Sequence, residues 1–385
     1  MKFLAHFAVI SGLSALGIFP PCEQSPTQSG QQPSKRILSA PKTTTQLFFE
    51  PDSILIHKVD SVYHSMTDKQ RAAQMIMTAS STVPKLGYPY DKARRLIKEG
   101  WVGNLVFLKG SKSAFATQVR ELNTLPGLLR PLYACDCEPS LMNSKWSGTQ
   151  QVLKANQQNT EELVATNTHI IISDMKEVGV QLNFAPVADN ALNKDVISTR
   201  AFGNDPASII RLSKKFIEVS QNQKIGTSIK HFPGHGNVKG DSHKELVFID
   251  GELQELNTFR QIIQGNTPPL TVMVGHIAIR NNDKYNTQDM PSTLSRKIVT
   301  GLLRQELKYN GIITTDAMNM LAVSKVPNAD WKAVEAGIDL VLMPANPQAL
   351  NQRITEALQQ KGALAQQIEA SVKRIIRLKL VLGII

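Results

Sequence analysis

From residue 67 onward, short apolar runs alternate with longer segments whose apolar residues recur at helical spacing. The runs at 75–79, 103–108, 131–136, 181–185, 227–230, 270–275, 311–315 and 339–343 are of strand length. They are nearly continuous in apolar or β-branched residues, the pattern of parallel strands covered on both faces. The segments at 91–99, 115–123, 160–177, 206–221, 294–308, 331–336 and 363–382 predict helices. Thr67 and Gln70 have capping-box spacing ahead of Ala72, Met75 and Ile76, so the folded domain starts before residue 67. Eight strands alternating with helices over about 320 residues predict an α/β fold, a (β/α)₈ TIM-type barrel in a single catalytic domain. An open doubly wound sheet fits less well, because no Gly-rich phosphate loop follows the first strand. A barrel places functional residues at the carboxyl ends of its strands.

The ends of the chain refine this division. Lys2 precedes an apolar run reaching Phe19, which reads as an export signal over residues 1–22. Residues 23–45 are polar and carry prolines, the composition of a flexible tether, which leaves 46–385 for the barrel. Cys22 stands where such a signal is cut, as in a lipoprotein, and attachment to a membrane through lipidated Cys22 is one expectation. Pro20 and Pro21 depart from the small residues of a lipidation site, and ordinary cleavage is the other. Either way the protein is expected to be exported, to the periplasm or the outer membrane and cell envelope, and to act as a monomer. The net charge of +11 suits anionic partners. No nucleic-acid motif accompanies it, so no nucleic acid is expected. Cys135 and Cys137, two apart on a predicted strand, are expected to be buried and not mutually bonded, and they do not make a zinc site.

Polar residues gather where the barrel requires them: Asp136 and Glu138 after the third strand, Asp189 after the fourth, Lys230 and His231 after the fifth, His276 after the sixth and Asp316 after the seventh. Charged groups at the ends of apolar strands need partners or a ligand. The segment KHFPGHGNVKGDSH, residues 230–243, carries glycines for sharp turns and three histidines. Asp241 lies two residues from His243, close enough to orient its imidazole, and the pair has the form of a general acid/base. His235 in the same segment is expected to brace the loop through hydrogen bonds, and His276 to be a packed strand residue. Asp316 can act as a nucleophile toward an anomeric carbon or cap the helix that follows, and its position alone leaves both open.

The segments KHFPGHG, DSH, STRAFGNDP, NFAPVAD and TTDAMNM together resemble glycoside hydrolase family 3, in the branch of bacterial β-N-acetylglucosaminidases. The similarity runs over about residues 60–385 in family order. It implies a retaining mechanism with Asp316 as nucleophile and His243, assisted by Asp241, as acid/base on a mobile loop. It also implies that Lys230 and His231 bind sugar hydroxyls and that Asp136 and Arg200 lie near the substrate. No metal and no cofactor is implied. The expected activity is that of an exo-β-N-acetylglucosaminidase acting on GlcNAc-terminated glycans such as peptidoglycan fragments. A β-glucosidase or β-xylosidase, or a wall-binding lipoprotein without catalysis, are the alternatives. One segment departs from the family: DCEPSLMNSK lacks its glycines and has Ser144 near the place of the sugar-gripping arginine. Lys145 and Lys109 are the nearby cations, and neither has arginine's bidentate fork.

Overall fold

The computed structural model describes residues 42–127 and 129–385. The expected signal segment, Cys22 and all but the last residues of the expected tether lie outside them. Eight parallel strands form one sheet: β1 Ile76–Ser80, β2 Asn104–Phe107, β3 Leu132–Cys135, β4 Leu182–Asn183, β5 Gly226–Phe232, β6 Thr271–Val274, β7 Ile312–Thr315 and β8 Val341–Leu342. Neighbours in the chain are neighbours in the sheet, with Met77 opposite Asn104, Phe107 opposite Cys135, and Thr315 opposite Val274. β1 pairs with β8, and Thr314 bridges to Leu340, so the sheet closes on itself into a barrel. Closure leaves no free edge.

Each strand lies within a residue or two of its predicted run, because an apolar stretch of four to six residues buried on both faces is a local signal. Several helices are equally local. Thr160 accepts from Leu163 N–H at the start of Glu161–Val178, and Gly179 ends that helix in the left-handed conformation at φ 89°. Asp205 caps Pro206–Asn222, with proline in its first turn. The segment expected at 294–308 divides into a tight turn, Ser292–Leu294, and a helix with π winding, Lys297–Glu306. Four helices of six residues or more were not expected, Thr44–Phe49, Ser53–Ser65, Leu256–Ile263 and Pro347–Gln359, nor were the single turns Met142–Lys145 and Leu321–Ser324. The first begins inside the predicted tether, capped by Thr43 and with Thr44 and Thr45 buried, so the compact unit starts at Lys42.

The expectation for the cysteines is corrected in one respect. Cys135 and Cys137 are buried, but they are joined by a disulfide. Cys135 is the last residue of β3, and the chain bends beyond it. The two Cα atoms are therefore 5.4 Å apart, whereas a straight strand would hold the two Cβ atoms about 6.6 Å apart, well beyond the roughly 3.8 Å a disulfide needs.

Outside the barrel, Val247–Asp250 pairs in parallel with Ile277–Arg280 and secures the far end of the long loop that follows β5. The peptide bonds Ala185–Pro186, Lys230–His231 and Phe232–Pro233, near the carboxyl ends of β4 and β5, are cis. Among the described residues no helix is long and apolar enough to cross a membrane.

Candidate active site

β5 delivers Lys230 into a buried ionic cluster. Its Nζ donates to Asp136 Oδ1 at 2.9 Å and to Glu138 Oε1 at 2.6 Å. Arg200, on the turn Ser198–Arg200, grips Glu138 with Nε at 2.8 Å and Nη2 at 2.7 Å, and Nη1 donates to Val196 O. Two of the five guanidinium N–H groups stay uncommitted. Lys145 Nζ reaches Asp136 Oδ2 at 2.7 Å. Burial works against both carboxylates, but Lys145 and Lys230 hold Asp136 far below its ordinary range, and Arg200 and Lys230 hold Glu138 at about 2. The same carboxylates keep Lys230 protonated despite its burial. Glu138 is fully buried, while Asp136 and Lys145 retain about a quarter of their side-chain surface, so this pair forms the open rim. Of the two lysines near the missing arginine, the structure brings Lys145 to this cluster.

His231 follows directly. Its N–H donates to Asp189 Oδ2 at 3.0 Å, and its Nδ1 lies 2.7 Å from the same oxygen. Asp189, fully buried, accepts at Oδ1 from His235 N–H at 2.8 Å. With Nδ1 committed to a carboxylate, His231 has Nε2 available for a ligand.

Asp316 stands just past β7. Its Oδ1 accepts the N–H of Ala317 at 2.8 Å, and its own N–H donates to Val274 O. The nearest helix, Leu321–Ser324, begins several residues later without a side-chain cap, so Asp316 caps no helix. Oδ2 accepts no hydrogen bond from the described residues. Burial alone would raise this carboxyl. His231, His276, the Ala317 N–H and His243 together bring it below the usual value. His276, fully buried, donates from Nε2 to Ala317 O at 3.1 Å while its Nδ1 meets Thr293 Oγ1 at 2.8 Å. It packs as expected, and in packing it supports the residue beside Asp316.

Asp241 Oδ1 lies 2.8 Å from His243 Nδ1 and accepts the His243 N–H at 2.9 Å. Burial opposes the Asp241 charge, but both His243 contacts and Lys244 lower its pKa. His243 is more than half exposed, its Nε2 makes no hydrogen bond to the described residues, and its carbonyl accepts the N–H of Leu321 at 3.3 Å. The dyad loop therefore touches the segment that carries Asp316.

The structure thus gathers Asp136, Lys230 and Arg200 into one ionic cluster with Glu138, and pairs Asp241 with His243 on a loop that meets the segment after Asp316. Glu138 and Asp189 were not among the predicted site residues, although each carries the same signal, an acid just past an apolar strand. Glu255 carries no such signal, because its role depends on loops distant in sequence. Its Oε1 accepts from Gly236 and Asn237 N–H, at 2.8 and 3.1 Å, and Oε2 from Asn190 N–H at 2.7 Å. Burial and the Asp189 charge push it up to about 8 against those three donors. Among the described residues no three His, Cys, Asp or Glu side chains are grouped to hold a metal ion.

The chain is similar to known proteins in both sequence and structure. The chain is 32% identical over 232 residues to Beta-hexosaminidase A of Pseudoalteromonas piscicida, an alignment covering 54% of this chain and 39% of that protein. It is 29% identical over 234 residues to a Beta-hexosaminidase of Hydrogenovibrio crunogenus, covering 58% and 62%. Among solved structures, a glycoside hydrolase family 3 beta-N-acetylglucosaminidase from Paenibacillus sp. superposes with a TM-score of 0.72 at 28% identity, covering 83% of this chain and 63% of that one. In each case the match spans less than two thirds of the relative's length. The family model described as Glycosyl hydrolase family 3 N terminal domain matches residues 67–378, and the chain belongs to that family.

Proposed function

We propose that the protein is a retaining exo-β-N-acetylglucosaminidase that removes terminal β-linked GlcNAc from peptidoglycan fragments or related glycans. The observation that carries this reading is the pairing of an Asp316 carboxylate having one unengaged oxygen with an imidazole held by Asp241. The names of the relatives and of the Paenibacillus structure add support.

In the first half-reaction Asp316 attacks the anomeric carbon as His243, protonated on Nε2, gives its proton to the glycosidic oxygen, and the leaving alcohol departs. In the second, water gives its oxygen to the anomeric carbon and a proton to Nε2, and the bond to Asp316 breaks. Asp241 keeps Nδ1–H in place and stabilises the imidazolium. Lys230, His231, Asp136 and Arg200 hold the sugar, with Lys145 beside Asp136 where the family has arginine. The protein acts as a monomer outside the cytoplasm, anchored through a lipid on Cys22 or released by cleavage, as its first 22 residues suggest.

Lys145 also motivates a second reading, because a lysine paired with Asp136 grips a sugar differently from an arginine fork. In that reading the mechanism stays and the sugar is β-glucose or β-xylose. Hydrolysis of chromogenic β-GlcNAc, β-Glc and β-Xyl substrates separates the two, and the first is expected to be fastest. A slowly turned-over fluorinated sugar should label Asp316 covalently, as mass spectrometry of the digested protein would reveal. Binding without labelling would replace the enzyme reading with that of a sugar-binding lipoprotein.

A further inference from the structure

The turn that carries the dyad is anchored on both sides of Asp241, at Gly240 and at Ser242, the residue between Asp241 and His243. His243 is largely exposed, whereas Ser242 is only 1% exposed, and its Oγ lies 2.9 Å from His235 Nε2. His235 is equally buried. On the other side of the ring, Asn193 Nδ2 lies 3.2 Å from His235 Nδ1 and donates to Gly240 O at 3.0 Å, one residue before Asp241.

The protonation pattern follows from the amide. Asn193 Oδ1 accepts the N–H groups of Asp195 and Val196 at 3.0 and 3.3 Å, so Nδ2 must be the atom facing His235. His235 Nδ1 is then the unprotonated nitrogen, and Nε2–H donates to Ser242. Burial first, and then His231, lower the His235 pKa, which agrees with a neutral ring.

This unit is itself fastened to the barrel. His235 N–H donates to Asp189, the N–H groups of Gly236 and Asn237 donate to Glu255, and Asn193 N–H donates to Gly236 O at 2.7 Å. A side chain at Gly236 would collide with the Asn190 backbone, so glycine is what lets the two loops lie against each other. The Gly240–Ser242 turn hangs on this block by two hydrogen bonds. We propose that Asn193 and His235 are positioning residues that clamp this turn through Gly240 and Ser242 and so set where the His243 imidazole stands.

The proposal rests on the reading of His243 as acid/base, and its test separates the two. A misplacement of about 1 Å can cost about a hundredfold in rate. A misplaced proton donor matters for a poor leaving group and little for one that departs unaided. In the full chain, kcat/KM is measured for aryl β-GlcNAc substrates from unactivated phenols to a dinitrophenol. Ser242→Ala and Asn193→Ala should lose about a hundredfold on the poorest leaving group and less than about threefold on the dinitrophenyl substrate, with a flattened basic limb of the pH profile. Ser242→Thr, which keeps the hydroxyl, should recover most of the loss. Equal losses across the series, or none, would overturn the clamp. His243→Ala is the reference: if it too lacks leaving-group dependence, the acid/base reading fails, whereas dependence in His243→Ala alone overturns only the clamp. Thermal unfolding identifies any variant that misfolds, and the other then decides.

Discussion

Two aspartates stand at opposite ends of the β7–β8 pair. Asp339, just before β8, is fully buried and entirely used by the protein. Its Oδ1 meets Ser371 and Arg374, at 2.7 and 3.1 Å, and its Oδ2 meets Ile313 N–H and Arg304, at 2.7 and 2.6 Å. Burial would raise its pKa, but the two arginines hold it down. Asp316, just past β7, has one backbone donor on one oxygen, and the described protein leaves the other unengaged. The difference teaches how to tell a carboxylate that holds a fold from one kept for a ligand. Both are charged, and only the first has spent its lone pairs internally.

Substituting each residue should separate these roles most sharply. Asp316→Asn is expected to lower kcat/KM by at least about 10⁴-fold, roughly 5 kcal/mol, while leaving the unfolding midpoint unchanged or higher. Asp339→Asn should do the reverse. It leaves two guanidinium groups without their counter-charge, costs about 3 kcal/mol in denaturant unfolding, and spares the activity of the folded fraction. If Asp339→Asn instead abolished turnover in folded protein, the division between the two ends would be wrong.

A second buried charge on the amino-terminal side sharpens the comparison. Lys379 is fully buried with only neutral partners, Gln74 Oε1 at 2.6 Å and Gly103 O at 3.1 Å, and burial pushes its pKa down from 10.5 to about 7. The folded state therefore binds this proton less readily than the unfolded chain. As pH falls from about 10 to about 7 the unfolded state gains a proton that the folded state does not, and stability drops by no more than about 5 kcal/mol. Lys379→Met should remove that dependence, so its advantage over the natural chain in denaturant titrations grows toward pH 7 and vanishes at high pH. A constant difference across this range would mean that Lys379 stays charged in the fold.

The smallest effect belongs to the rim of the mouth. Lys145 is partly exposed, and its pairing with Asp136 contributes at most about 1 kcal/mol to stability. Lys145→Ala should leave unfolding nearly unchanged and raise KM about tenfold, with kcat within about threefold. A fall in kcat at constant KM would place the lysine in the transition state and not in ground-state binding.

Much of this was legible in the chain. Buried strands announce themselves through composition over four to six residues, so all eight were found, and the barrel rule then pointed to Asp136, Lys230, His231 and Asp316. Asp241 and His243 could be paired because only one residue separates them. The helix Ser53–Ser65 was missed because its apolar face is weak and only Val59 and Tyr63 are buried, whereas Leu256–Ile263, with Leu256, Phe259, Ile262 and Ile263 at helical spacing, was legible but is only about two turns long. The disulfide was missed because the bend after Cys135 belongs to the loop's path and not to the local pattern of residues.

What the sequence determined by itself is therefore whatever depends on neighbours in the chain: the strand–helix alternation, the charged residues at strand ends and the Asp-x-His pair. The tertiary structure alone decided which charges neutralise one another and which remain open to a ligand. Glu138 joined to Arg200, Glu255 holding the N–H groups of Asn190 and Gly236, and His235 closed on Asn193 are contacts between groups converging from separate loops. Hydrogen bonds and ion pairs act over a few ångströms of space whatever the separation along the chain, so only the fold could assign them.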